Sequence, residues 1–189
     1  MCLGVNYGLE LSNIEKSNGI SLYTRSFDYH KLIENFHQIL SNKLLSEFQI
    51  ESRSFVDAQA VFERFWAWRA GIGWIGKNSM LINKKLGSYI FLSGLMLDIK
   101  LEADSAGIDH CGKCRKCIEA CPTQAIIEDR FVNSNLCIGY HTIENRKEIP
   151  ANVAMNMSGW IAGCDVCQQV CPWNDPITPA RQFLEVQPL

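Results

Sequence analysis

The chain has 189 residues, of which 47% are apolar and 20% charged, and it carries a net charge of −2 with a pI near 6.1. That length builds one well-packed domain, or one domain plus a small insert. The near-neutral balance argues against a whole-surface electrostatic grip on nucleic acid, and no apolar run reaches the length of a membrane span.

The N-terminal "MCLGVNYGLELSN" has no basic region, no long apolar core and no twin arginine, so no signal peptide is expected. Residues 2–7 read as a short strand that follows directly on Met1, as an interior strand of a longer architecture would. After a polar stretch, "ISLYTRSF" (20–27) alternates as a second strand. Asp28 caps a helix from Tyr29 to Phe48, whose apolar stripe is Ile33, Phe36, Leu40, Leu44 and Phe48. "RSFVD" (53–57) is a short strand. Asp57 then opens a second helix, 58–70, which Gly71 ends. "SMLIN" and "GSYIFLSGLMLDI" form a hairpin through the turn "NKKLG".

"GIGWIG" (71–76) matches a dinucleotide-binding glycine pattern. Its glycines follow a helix and precede a strand, which is the wrong context for a Rossmann turn. They still permit close backbone approach, either to a bulky planar cofactor or within a tight turn.

From His110 onward the cysteines organise the chain. Nine cysteines without a secretory signal argue for metal-binding thiolates in the cytoplasm rather than disulfides. One group is Cys111, Cys114, Cys117 and Cys121-Pro122. The other is Cys137 followed, 27 positions later, by Cys164, then Cys167 and Cys171-Pro172. In two-cluster ferredoxins the cysteine that precedes the proline ligates the other cluster. By that rule Cys111, Cys114, Cys117 and Cys171 hold one 4Fe–4S cluster, and Cys137, Cys164, Cys167 and Cys121 hold the second. An all-cysteine zinc site is the alternative, but two runs each ending in Cys-Pro fit it poorly. Lys113, Arg115 and Lys116 sit among the ligands, as counter-charges or as a solvated basic loop. Cys2 is left over as a small apolar residue of the first strand. Asp57 reads either as a helix cap or as a general acid whose pKa an apolar surround would raise.

Taken together, these motifs resemble the epoxyqueuosine reductase family. The resemblance runs through "DYH" (28–30), "FVD" (55–57) with "ER" shortly after (63–64), "AGIGWIGKNSMLI" (70–82), "GSYIFLSGLML" (87–97), the two cysteine runs, "CIGYHTIE" (137–144) and the Pro-Trp-Asn tail at 172–174. It implies an α+β architecture: an N-terminally incomplete α/β catalytic, cobalamin-binding domain (1–105), a ferredoxin-like module with two 4Fe–4S clusters (106–178) and a C-terminal tail (179–189). The family's C-terminal helical-repeat domain is expected to be absent. The resemblance further implies a monomeric enzyme whose clusters pass electrons from an external low-potential donor to cobalamin. The two-electron reduction removes the epoxide oxygen of epoxyqueuosine in tRNA. Asp57 would be the proton donor, and Tyr29, His30, Gly71, Gly73, Gly76, Lys77 and Asn78 would border the corrin. Three differences from the family pattern are Ala58-Gln59-Ala60 after the aspartate, Gly139 and His141. The competing readings are a non-catalytic two-cluster electron carrier, which would not need the 110 residues before the first ligand, and an inactive truncated member of the family. A reductive dehalogenase would bring a twin-arginine signal and a tyrosine acid, and neither is seen.

Overall fold

A computed structural model describes residues 1–8, 19–25 and 28–174. The expected tail at 179–189, the polar stretch at 9–18 and the end of the expected second strand at 26–27 lie outside them.

The first half is a three-stranded antiparallel sheet with helices against it. β1 (Cys2–Asn6) and β2 (Ser52–Phe55) flank β5 (Ile90–Leu97), in the order β1-β5-β2. β5 is central because it is the longest strand and the only one of the three with an apolar run on both sides of its pleat. Leu95 is fully buried and Ile90 nearly so. Its Gly94 lets the Phe55 ring cross the strand in the space a Cβ would fill.

α1 (Tyr29–Phe48) begins at the expected cap, with the Asp28 carboxylate accepting from the His30 backbone N–H at 3.1 Å. It ends at Gln49, in left-handed conformation at φ 58°. The expected apolar stripe is its inner face only in part, through buried Ile33 and half-buried Leu40 and Leu44. Only Ile33 and His37 are buried, whereas Phe36 and Phe48 are 50% and 63% exposed. The buried line runs through the i, i+4 pair 33/37, because His37 reaches into the sheet and its Nε2 meets Ser93 Oγ at 3.1 Å.

Over the described residues 20–25 the expected second strand is not formed. Leu22–Thr24 is a 3₁₀ turn, and only Ile20 makes a bridge, parallel to Ala162. Contacts remote in sequence win over local alternation: Ser21 N–H donates to Ala162 C=O at 2.7 Å, and Leu22 N–H to the Asp165 carboxylate at 2.6 Å.

The second helix is shorter than expected. α2 (Glu63–Arg69) starts six residues after Asp57, which is therefore not its cap. Its C-terminal end agrees, with Gly71 left-handed at φ 71°. β3 (Trp74–Ile75) pairs with β4 (Leu81–Ile82). The turn at "NKKLG" is real, since Asn83 and Gly87 bridge, but β4 and β5 belong to different sheets.

The cysteine half has little regular structure. α3 (Lys116–Ala120) packs against α5 (Val166–Gln169); a small hairpin of β6 (Ile126–Glu128) and β7 (Phe131–Val132), a π-helical turn at Tyr140–Glu144 and α4 (Ala151–Ala154) lie between them. Ile138, Val153 and Trp160 make its own apolar cluster.

The Pro-Trp-Asn tail locks the halves together. Asn174 is 1% exposed. Its Nδ2 donates to Ser88 Oγ at 2.9 Å and to Gln168 C=O at 2.7 Å, and its Oδ1 accepts from Ser88 N–H at 2.7 Å. Gly87 is needed here, because a Cβ would run into Asn174 Oδ1.

Among the described residues no helix is long and apolar enough to cross a membrane.

Candidate functional site

Two cavities divide the eight motif cysteines into fours. A cavity of about 250 Å³ is lined by Cys111, Cys114, Cys117 and Cys171 and by none of the others. A larger one, about 790 Å³, is lined by Cys121, Cys137, Cys164 and Cys167 and by none of the first four. The division follows from local geometry. The C-x-x-C-x-x-C loop turns three sulfurs inward, and α3 then carries Cys121 past the partition. α5 does the same in reverse for Cys171.

The thiols feel one another within these sets. Burial pushes the Cys117 pKa up, and Cys171, Cys111 and Cys114 push it further. Burial likewise raises Cys164, to about 11, with added repulsion from Cys137 and Cys121. All nine cysteines are free thiols. Two sets of four thiols, each completed by the cysteine that precedes proline in the other run, fit two iron–sulfur clusters. N–H groups point at the sulfurs as well: Trp74 Nε1 lies 3.4 Å from Cys111 Sγ, and Ala125 N–H 3.2 Å from Cys121 Sγ. Trp74, His110 and Trp173 form an aromatic wall over the first set, with Trp74 and Trp173 edge to face at 5.1 Å.

Asp57 lines the large cavity together with the second sulfur set. β2 delivers it to a left-handed position at φ 54°, a conformation that aspartate tolerates better than most residues. The expected apolar surround is absent: the side chain is 67% exposed. Its Oδ2 instead accepts from Tyr29 O–H at 3.1 Å and lies 3.4 Å from His30 Nε2. Burial and the Asp57 charge together raise the Tyr29 pKa, so its proton stays on. Burial lowers the His30 pKa, but hydrogen bonds to Asp28 and Asp57 outweigh it, and the net shift is upward. Tyr29 is stacked flat on Phe91 at 4.1 Å, which fixes the hydroxyl. The "DYH" motif and Asp57, 27 residues apart, thus make one hydrogen-bonded group.

The glycine loop is placed differently. Gly71, Gly73, Gly76 and Lys77 do not line the large cavity. Their close approaches are internal: a Cβ on Gly73 would strike the Ile82 carbonyl, and one on Gly76 the Ile82 side chain. Lys77 lines the smaller cavity and pairs with Asp129 at 3.3 Å. Asn78 borders both cavities and donates to Cys167 C=O at 3.3 Å, so it sits in the partition. His30 stands behind Asp57 rather than in the cavity wall.

Glu63 and Arg64, the "ER" of the family resemblance, line the large cavity, and Glu63 Oε1 is buried without a hydrogen-bond partner among the described residues. Several residues that sequence reasoning left out also belong to the site, and Asp165 lines the same cavity. Trp74 and His110 gave no local signal. Trp173 and Asn174 had one, the Pro-Trp-Asn tail, but its role as a latch needed the fold.

Comparisons with known proteins agree with this geometry. Residues 110–174 match the family described as a 4Fe-4S double cluster binding domain. The epoxyqueuosine reductase of Synechocystis sp. is 42% identical over 192 residues, which cover 100% of this chain and 66% of that protein. That of Prochlorococcus marinus is 44% identical over 190 residues, covering 100% and 61%. A crystal structure of epoxyqueuosine reductase with a tRNA-Tyr epoxyqueuosine-modified stem loop superposes with a TM-score of 0.83 at 29% identity, over 93% of this chain and 48% of that one. The Bacillus subtilis enzyme, described with its catalytic aspartate loop swung out of the active site, gives a TM-score of 0.81 at 28% identity, over 93% and 48%. The chain thus spans 61–66% of the length of these curated relatives and about half of these solved chains. By sequence, by fold and by its double-cluster segment, the chain belongs to the epoxyqueuosine reductase family.

Proposed function

We propose that the chain reduces epoxyqueuosine in tRNA to queuosine, acting as a monomer fed by an external low-potential electron donor. Residues 1–105 form the catalytic, cobalamin-binding part and 106–178 the cluster module. The observation that supports this reading is the large cavity, whose lining combines Tyr29 and Asp57 with Cys121, Cys137, Cys164 and Cys167. Its volume of about 790 Å³ lies in the range of cofactor and ligand sites. Glu63 Oε1, buried and without a partner, is an acceptor that the amide side chains of a corrin would satisfy. When bound, cobalamin and the two 4Fe–4S clusters would supply the low-potential electrons that the deoxygenation consumes.

The chain's own residues supply the rest. Conversion of an epoxide to an alkene takes two electrons and two protons and releases water. Asp57 delivers a proton to the departing oxygen. The Tyr29 hydroxyl and the His30 imidazole, both hydrogen-bonded to Asp57 Oδ2, orient the carboxyl and can pass it protons. Cys111, Cys114, Cys117 and Cys171 hold the far cluster; Cys121, Cys137, Cys164 and Cys167 hold the one beside the cavity. Tyr29 and Asn78 border the corrin. Gly71, Gly73, Gly76 and Lys77 belong to the loop that carries Asn78 to it.

The test is turnover. The cluster-reconstituted chain, a strong reductant and an epoxyqueuosine-modified stem loop should yield queuosine when cobalamin is added, and none without it. Failure to form queuosine with intact clusters and bound cobalamin would overturn the assignment.

A further inference from the structure

The two sulfur sets are not equivalent in their access to the outside. The second set faces the cavity that holds Asp57. The first set contributes nothing to that cavity. Cys171 of the first set also lines an open groove of about 560 Å³ between α3 and α5, to which Asp57 does not contribute. Lys116 lines both that groove and the small cavity of the first set. The groove therefore reaches a ligand of the far cluster directly.

Lys116 lines the groove together with Glu119, and Lys113 and Arg115 stand close to Lys116 in the chain. Lys113, Arg115 and Lys116 are all exposed, three cations within four residues of a chain whose net charge is −2. Among the described residues none of the three forms an ion pair, unlike Lys77 with Asp129 or Arg130 with Asp109. A tRNA contact is one use of such a patch. However, the nucleoside must reach Asp57, and none of the three residues lines that cavity.

On the reading that the chain is a two-cluster reductase, we infer that the α3–α5 groove with Lys113, Arg115 and Lys116 is the docking surface for a small acidic electron-carrier protein. The carrier gives up one electron and the Cys111/Cys114/Cys117/Cys171 cluster gains it; the electron then passes to the second cluster and the cavity. Contacts of this kind are small, short-lived and steered by charge, which suits three unpaired cations around a shallow groove.

The experiment uses the cluster-loaded chain without tRNA, so that its outcome is independent of turnover. Reduced flavodoxin, a small acidic flavoprotein, is the probe. Cluster bleaching is followed by stopped flow, and binding of oxidised flavodoxin by titration, at low and high salt. The double variant Lys113→Glu/Arg115→Glu should be reduced by flavodoxin at least ~10-fold more slowly at low salt and should bind it correspondingly more weakly. Dithionite should reduce both proteins equally, which shows that the clusters are intact. The milder Lys113→Gln/Arg115→Gln variant should fall between. The inference is overturned if flavodoxin reduces wild type and variant equally, or if dithionite slows in parallel, which would make the charges a tuning of the cluster. It is equally overturned if the variant loses tRNA binding while its reduction by flavodoxin is unchanged.

Discussion

Substitution of Asn174 tests how the cluster segment is latched to the catalytic half. Asn174→Ala removes three hydrogen bonds that cross between the two halves or brace the crossing. Gln168 C=O keeps a partner, since Cys171 N–H also donates to it at 3.1 Å, and Ser88 Oγ keeps Gln168 Oε1 at 2.8 Å. The Ser88 N–H loses its only side-chain acceptor, and Ser88 is 1% exposed. An orphaned buried donor costs about 1–3 kcal/mol and each of the other two bonds about 0.5–1 kcal/mol net, so the loss should be roughly 3 kcal/mol. That is a large share of the ~5–15 kcal/mol by which domains are stable. Urea unfolding of the cluster-loaded chain, followed by tryptophan fluorescence, measures it. The Gly87→Ala change should be strongly destabilising alone, yet less so in the Asn174→Ala background, because its Cβ runs into Asn174 Oδ1. A loss below ~1 kcal/mol, or strict additivity of the pair, would refute the latch.

Three further outcomes follow from the geometry. Trp74→Phe keeps the ring contacts but removes the N–H beside Cys111 Sγ; the first cluster's potential should fall in an EPR-monitored redox titration while the second stays put. Cys121→Ala should abolish the EPR signal of the second cluster and spare the first, although Cys121 lies in the first run; loss of the first alone would reverse the partition. His37 is buried with Nδ1 unpartnered, and burial lowers its pKa below the ordinary ~6.5. The unfolded chain then binds the extra proton first, so the His37 contribution is intact above the unfolded pKa and is lost as pH falls below it. The urea midpoint should therefore drop less steeply from pH 7 to pH 5 in His37→Gln than in wild type.

What the sequence made legible was local or covalent in origin. α1 and its Asp28 cap could be read because a cap bonds residues two positions away, and the cysteine spacing because a cubane dictates loop lengths. The misreadings came from distant partners. Residues 20–25 alternate like a strand, but Asp165 and Ala162 claim the Ser21 and Leu22 N–H groups. The position of β5 between β1 and β2 depends on pairing across more than 80 residues. Asp57 has a cap's composition but sits in a left-handed turn bound to Tyr29 and His30, a role set by where α1 begins. The glycine pattern drew attention as a ligand loop, whereas Ile82 accounts for the tight approach at Gly73 and Gly76.

The most direct test of the proposed chemistry is single-turnover product formation by Asp57→Asn, loaded with clusters and cobalamin and reduced beforehand. Asparagine keeps the size and the acceptor for Tyr29 but has no acidic proton to give. The account predicts queuosine formation at least ~10²-fold slower than wild type, with cluster and cobalamin content unchanged. An unchanged rate would contradict proton delivery by Asp57 across the large cavity.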